Sequence, residues 1–172
     1  KRLDPEKGPL SDLELQAFNE GAVQAYEEGN VSLTEMALGL AISNTGRRPI
    51  QISHLRIKDV LQGKNNKDEE CYLLNVPRAK QRGTNFRGQF KQFAITHELW
   101  VILSSQAAQV GMKANEVLGF EFQDMDRLEL PLFPDYKALK EVAGAPVRLR
   151  AALETDRLHI ASKDVTRVCR LI

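Results

Sequence analysis

The chain has 172 residues, 42% of them hydrophobic, with a formal net charge of +1; it is long enough for one packed domain, is not a disordered tail, and does not announce a nucleic-acid partner by overall charge. Its two cysteines, Cys71 and Cys169, lack metal-ligand spacing and are too few for a disulfide framework, which argues against a zinc site and suits a reducing compartment. No stretch reaches the length of a membrane span, and the opening Lys1-Arg2-Leu3-Asp4-Pro5 is neither a signal peptide nor an initiator methionine, so the chain reads as cytoplasmic, without a membrane partner, and as cut from a longer polypeptide.

Residues 1–10 carry Pro5, Gly8 and Pro9 among charges and read as a linker, leaving 11–172 as the ordered domain. Ser11 with Glu14 forms a capping pattern, and Leu13, Ala17, Phe18, Ala22, Ala25 and Tyr26 recur at helical spacing to about Glu28, where Gly29-Asn30 stops the helix. Ser32 with Glu35 repeats the pattern, and Leu33, Met36, Ala37, Leu40 and Ala41 carry a second helix to about Asn44. Gly46 suits the left-handed position that ends it. Pro49 can open a third, short helix at its first turn, where a missing amide proton does no harm.

After Leu55 the periodicity changes. Residues 56–61, 71–77 and 88–95 read as strands, the last with Phe90, Gln92 and Ala94 alternating, joined by the polar turn 63–69 and by a second connection from Arg78 to Arg87. They predict a three-stranded antiparallel sheet. From Cys71 to His97 there is no Asp or Glu, while Arg78, Lys80, Arg82, Arg87 and Lys91 all lie inside; a block of one sign gives a local field that attracts phosphate even on a neutral protein. The polarity of the second connection and its glycine predict a mobile loop.

Thr96 caps a long helix in which Leu99, Trp100, Leu103, Ala107 and Val110 share a face, ending between Gly111 and Asn115. Pro131, Pro134 and Pro146 then break the chain into a loop, a short helix over about 135–143 and another around 147–153, and Ser162 caps a last helix. The fold class is α+β, mainly helical, with a small sheet.

The most informative stretch is Asn44-Thr-Gly-Arg-Arg-Pro-Ile-Gln-Ile-Ser-His-Leu-Arg-Ile-Lys-Asp-Val60, which sets an arginine between two helical patterns and leads into a strand. Transesterification of a phosphodiester places extra negative charge on the phosphoryl oxygens, and an arginine held at a helix end can donate two charge-assisted hydrogen bonds to them. The bland alternative is a pair of surface arginines near helix carbonyls. Thr45, Gly46, Arg48, Ile52, Leu55, Asp59 and Val60 fall without a gap on the first catalytic box of the tyrosine recombinases, and the chain resembles the amino-terminal part of the catalytic domain of that phage-integrase family. Two positions depart from the pattern: Arg47 stands where an apolar residue is frequent, and Gln51 where an acid is common. In a register shifted by one, Arg47 would be the candidate.

The resemblance implies that Arg48 binds the scissile phosphate and that Lys80, in the turn between the second and third strands, protonates the departing 5′ oxygen. Arg47, Arg78, Arg82, Arg87 and Lys91 would hold backbone phosphates of double-stranded DNA, contacts that position a protein without reading sequence. It also implies strand cleavage through a phosphotyrosine, without metal, nucleotide or other cofactor, and self-association on DNA in the full-length protein. The rest of the family's set is missing. His54, His97 and His159 are followed three residues later by Ile57, Trp100 and Ser162 rather than arginine, and Tyr26, Tyr72 and Tyr136 are misplaced for the nucleophile. This polypeptide is therefore expected not to cleave DNA. The competing reading is a non-catalytic DNA-binding module using the basic hairpin, and a third is a helical interaction domain whose basic strip is merely solvated.

Overall fold

The computed structural model describes residues 11–78, 88–120 and 124–170. The expected linker, and Lys80, Arg82 and Arg87 of the basic connection, lie outside the described residues. Helix α1 (Asp12–Glu27) and helix α2 (Leu33–Thr45) both open on reciprocal capping boxes, Ser11 with Glu14 and Ser32 with Glu35, which satisfy amide protons that no helix can satisfy itself. The second helix buries Met36, Ala37, Leu38, Gly39, Leu40 and Ala41 in succession, so it is apolar all round. That marks it as a central helix, and α1 packs against it from outside. Gly46, at φ 64°, ends it in the left-handed conformation. Pro49 then opens the short α3 (Pro49–Ser53) at its first turn.

The strand expected over 56–61 begins later. Ile57–Asp59 form a turn of 3-10 helix and β1 covers Val60–Lys64. Asp59 is the reason: its Oδ2 accepts the Arg56 amide proton at 2.7 Å, a local bond that closes the turn before extended structure can start. Strands β2 (Glu70–Pro77) and β3 (Phe90–Ile95) complete an antiparallel sheet in the order β1-β2-β3, with Val60 opposite Leu74 and Leu74 opposite Phe93. Residues opposite one another share a face. Leu74, Val76, Phe93 and Ile95 therefore turn toward the helices. The alternating set Phe90, Gln92 and Ala94 belongs to the other face.

Helix α4 (His97–Leu118) starts at Thr96, whose hydroxyl accepts from the Leu99 amide, and runs past the expected stop to Gly119 at φ 74°. Gly111 is simply buried inside it, where an added Cβ would come 3.6 Å from the Arg127 side chain. Beyond it come α5 (Asp124–Glu129), absent from the sequence reading, α6 (Tyr136–Glu141), α7 (Pro146–Leu153) and α8 (Ser162–Cys169). Ser162 is the first residue of α8 rather than its cap, a position taken by Ala161 without a side-chain bond. The core joins these parts around fully buried Leu38, Ile52, Leu55, Leu74, Leu103, Leu132, Phe133 and Leu158. Buried Gln106 stitches α2, α4 and the segment before α6 together, accepting from the Thr34 hydroxyl and donating to the Leu132 carbonyl, each at 3.0 Å. Among the described residues no helix is long and apolar enough to cross a membrane.

Candidate nucleic-acid interface

The turn between α2 and α3 is built by Thr45. Its hydroxyl donates to the Ala41 carbonyl at 2.6 Å and accepts the Arg47 amide proton at 3.3 Å, while the Arg47 Nε donates to the Thr45 carbonyl at 3.3 Å. This folds the half-buried Arg47 back over the turn, with its guanidinium carbon 5.1 Å from the centroid of the Phe93 ring. Lys91, two residues earlier on the same strand face, brings its Nζ to 5.3 Å from that ring. A phenyl ring attracts cations through its quadrupole without neutralising them, so two positive charges from separate parts of the chain share one ring.

Arg48 is exposed, at the cap position of α3, and forms no ion pair among the described residues. Its backbone is better fixed than its side chain. The Arg48 amide donates to Oε1 of buried Gln51 at 3.2 Å, and Gln51 Nε2 donates to the Pro77 carbonyl at 3.0 Å. The Arg78 amide donates to the Gln89 carbonyl at 2.8 Å, so by the alternation of an antiparallel ladder the Pro77 carbonyl faces away from β3. At that level β1 has not yet begun, and Gln51 occupies the place of the absent strand. Proline costs nothing there, since it has no amide proton to leave unpaired.

The arrangement thus brings together four of the described basic residues, Arg47 and Arg48 from the turn, Lys91 from β3 and Arg78 at the exit of β2. Compared with family models, with curated proteins and with solved structures, the chain matches none.

A further basic set escaped the sequence reading. Lys163 and Arg167 on α8 and Arg170 at its C-cap are exposed and recur at helical spacing, on a helix packed against both α2 and α3. Arg167 lies 3.7 Å from Asp164, a loose exposed pair of small energetic weight. Their spacing was visible in the sequence. What was not visible is that α8 docks on the helices that carry the Arg48 turn.

Other charged groups near α3 are structural. His54 and His159 stack with centroids 5.3 Å apart and planes 15° apart. The Nδ1 of His54 lies 2.7 Å from the Ile50 carbonyl, and that of His159 lies 2.8 Å from the Ser53 carbonyl. Since a carbonyl can only accept, each Nδ1 carries a proton. Burial lowers the His159 pKa to about 4, against the opposing pull of its bond to Ser53, with His54 and Arg56 adding to the lowering. Behind them, buried Arg56 and the more exposed Lys58 both pair with Glu129. Burial pushes the Glu129 carboxyl up, and the hydrogen bonds and charges of Lys58 and Arg56 outweigh it, leaving the pKa lowered.

The tyrosines have other settings. Tyr72 sits at the start of β2, about 16 Å along the strand from Pro77, in a ring cluster with His97 and Trp100, and its hydroxyl donates to Glu70 at 3.1 Å. Tyr136 keeps its hydroxyl buried and without a hydrogen-bond partner, with Lys113 5.5 Å from its ring centroid. Tyr26 is partly exposed on α1.

Proposed function

We propose that this chain binds duplex DNA as the amino-terminal part of the catalytic domain of a tyrosine recombinase or integrase. The observation that carries the reading is the Gln51 bridge, which joins the Thr45-Gly46-Arg47-Arg48 turn to the exit of β2 and so gathers cations from two segments that the family resemblance assigns to one site. In this reading Arg48 meets the scissile phosphate, where a guanidinium stabilises the charge that develops in transesterification. Lys80 follows Arg78 in the connection leaving β2 and serves as general acid for the 5′ oxygen. Arg47, Arg78, Arg82, Arg87 and Lys91 contact backbone phosphates, joined by the basic stripe of α8. The site-specific recombination itself belongs to the full-length protein, which would supply the second arginine, a histidine and the tyrosine nucleophile and assemble on DNA as more than one copy.

A non-catalytic DNA-binding module is the second reading, favoured by the positions of Tyr72 and Tyr136, whose hydroxyls are engaged with Glu70 and buried, respectively. One experiment serves both. Fluorescence anisotropy with a labelled duplex over a salt series is expected to give an affinity that falls as salt rises, because each phosphate contact releases counterions. A salt-independent or absent affinity overturns both. If the recombinase reading holds, a nicked duplex gives no covalent adduct with this chain, and Arg48→Ala costs more affinity for a site containing a vanadate-bridged or otherwise pentavalent phosphorus than for plain duplex. Equal losses would leave the binding module.

A further inference from the structure

We propose that Gln51 is a positioning residue that sets the separation of Arg48 and Arg78, and that this position requires a neutral amide. The inference rests on the DNA-binding reading and deepens it. The Gln51 Oε1 accepts from the amide nitrogen of Arg48, and its Nε2 donates to the carbonyl of Pro77, which belongs to the peptide group preceding Arg78. A single primary amide therefore clamps the two peptide groups that launch the two arginines, one on each side of the α3–β2 junction. Gln51 is buried, as are Pro77 and the α3 residues Ile52 and Ser53 that follow it, so water cannot substitute for either bond at little cost.

The polarity of the two partners excludes the acid that the family pattern would place here. A carboxylate can accept from the Arg48 amide but has no proton for the Pro77 carbonyl, and would set two lone-pair oxygens against each other. Its charge would also draw in the neighbouring guanidinium groups. The charged and titratable groups near the position include Arg47 and Arg48 on its own turn, Arg78 across the junction, His54 at the end of α3, and His159, whose Nδ1 donates to the Ser53 carbonyl. A negative residue at 51 would pull the arginines inward and neutralise them, whereas the amide leaves both charges free for an outside anion.

The test compares wild type with Gln51→Glu and Gln51→Met in the whole chain, using duplex DNA and backbone hydrogen exchange. Methionine fills the same space with neither pole. Exchange of the Arg48 amide is expected to accelerate at least tenfold in Gln51→Met, and unchanged exchange overturns the clamp whether or not the protein binds DNA. Duplex affinity is expected to fall about tenfold in both variants at pH 7.5, the loss of one buried hydrogen-bonded group. For Gln51→Glu, measured relative to wild type at each pH, the loss should shrink as the pH drops toward about 5, where a buried carboxyl gains the proton that the Pro77 carbonyl requires. Lost Arg48 protection with unaltered DNA affinity, or a Gln51→Glu deficit that ignores pH, overturns the positioning role. If wild type itself shows no salt-dependent affinity, the DNA reading fails, and hydrogen exchange alone then decides the clamp.

Discussion

The Nδ1 of His159 lies 2.8 Å from the carbonyl oxygen of Ser53, so a buried imidazole satisfies the last turn of α3 from a point far along the chain. The stacked partner His54 and the guanidinium of Arg56 both oppose a charge on that ring, and burial opposes it most. The folded-state pKa of about 4 lies below the ordinary value of 6.5, so between these limits the unfolded chain binds more protons than the folded one. The stabilisation linked to His159 is complete above pH 6.5 and is lost as the pH falls toward 4, amounting to about 3 kcal/mol across the window. Urea unfolding at pH 7 and pH 4.5 should show this fall. His159→Gln, which keeps an N–H donor without the titration, should flatten it; an equal fall in the variant would move the acid sensitivity elsewhere.

Arg48 should act through its charge rather than through the fold. Because its side chain is exposed and forms no ion pair among the described residues, Arg48→Ala is expected to leave urea stability within about 0.5 kcal/mol of wild type. Its duplex affinity should drop, and the slope of log affinity against log salt should shrink by about 0.9, the release of one counterion. An unchanged slope would remove Arg48 from the phosphate-binding set.

The stripe on α8 makes a separable prediction. Replacing Lys163, Arg167 and Arg170 together by alanine should reduce the salt slope by about 2 to 3. Replacing residues of the Arg48 turn at the same time should add to that loss, since surfaces without shared partners are close to independent. A triple variant with wild-type affinity would confine the interface to the Arg48 turn and the sheet.

Glu129 tests the charge network on the far side of α3. It is the partner of Arg56, whose side chain is only 9% exposed, and Arg56 Nε already lacks a hydrogen-bond partner. Removing the carboxylate in Glu129→Ala leaves a buried cation uncompensated, at a cost of about 3 kcal/mol, the low end for such losses because Glu129 is itself 35% exposed. Chemical denaturation measures it directly. Glu129→Gln should cost less than alanine, as the amide oxygen still accepts from Arg56; equal losses would mean that the lost charge alone sets the effect and that the retained hydrogen bond and packing add nothing.

Much of the architecture was legible because its determinants are local. The Ser11–Glu14 and Ser32–Glu35 capping boxes, the left-handed stop at Gly46 and the proline opening of α3 each need only a few neighbouring residues, and each stands in the structure where the residues place it. The antiparallel order of three strands followed from short connections. Where a side-chain bond or a short element departs from simple periodicity, the reading slipped. Asp59 closed a turn in the expected first strand, Gly111 is a buried residue within α4 rather than its stop, and α5 had too few residues to show a period.

For the candidate site, the sequence by itself determined which cations exist, their one-sign segment between Cys71 and His97, and the turn that presents Arg48. Those are properties of composition and of bonds made within a few residues. Only the tertiary structure decided that Arg47 and Lys91 share the Phe93 ring, that Gln51 reaches Pro77, and that α8, with its basic stripe exposed, packs against α2 and α3. Each depends on elements tens of residues apart being driven together by burial of Ile52, Leu74 and Val165. Because the hydrophobic effect has no direction, it does not reveal in a sequence which polar groups will meet once the core has closed.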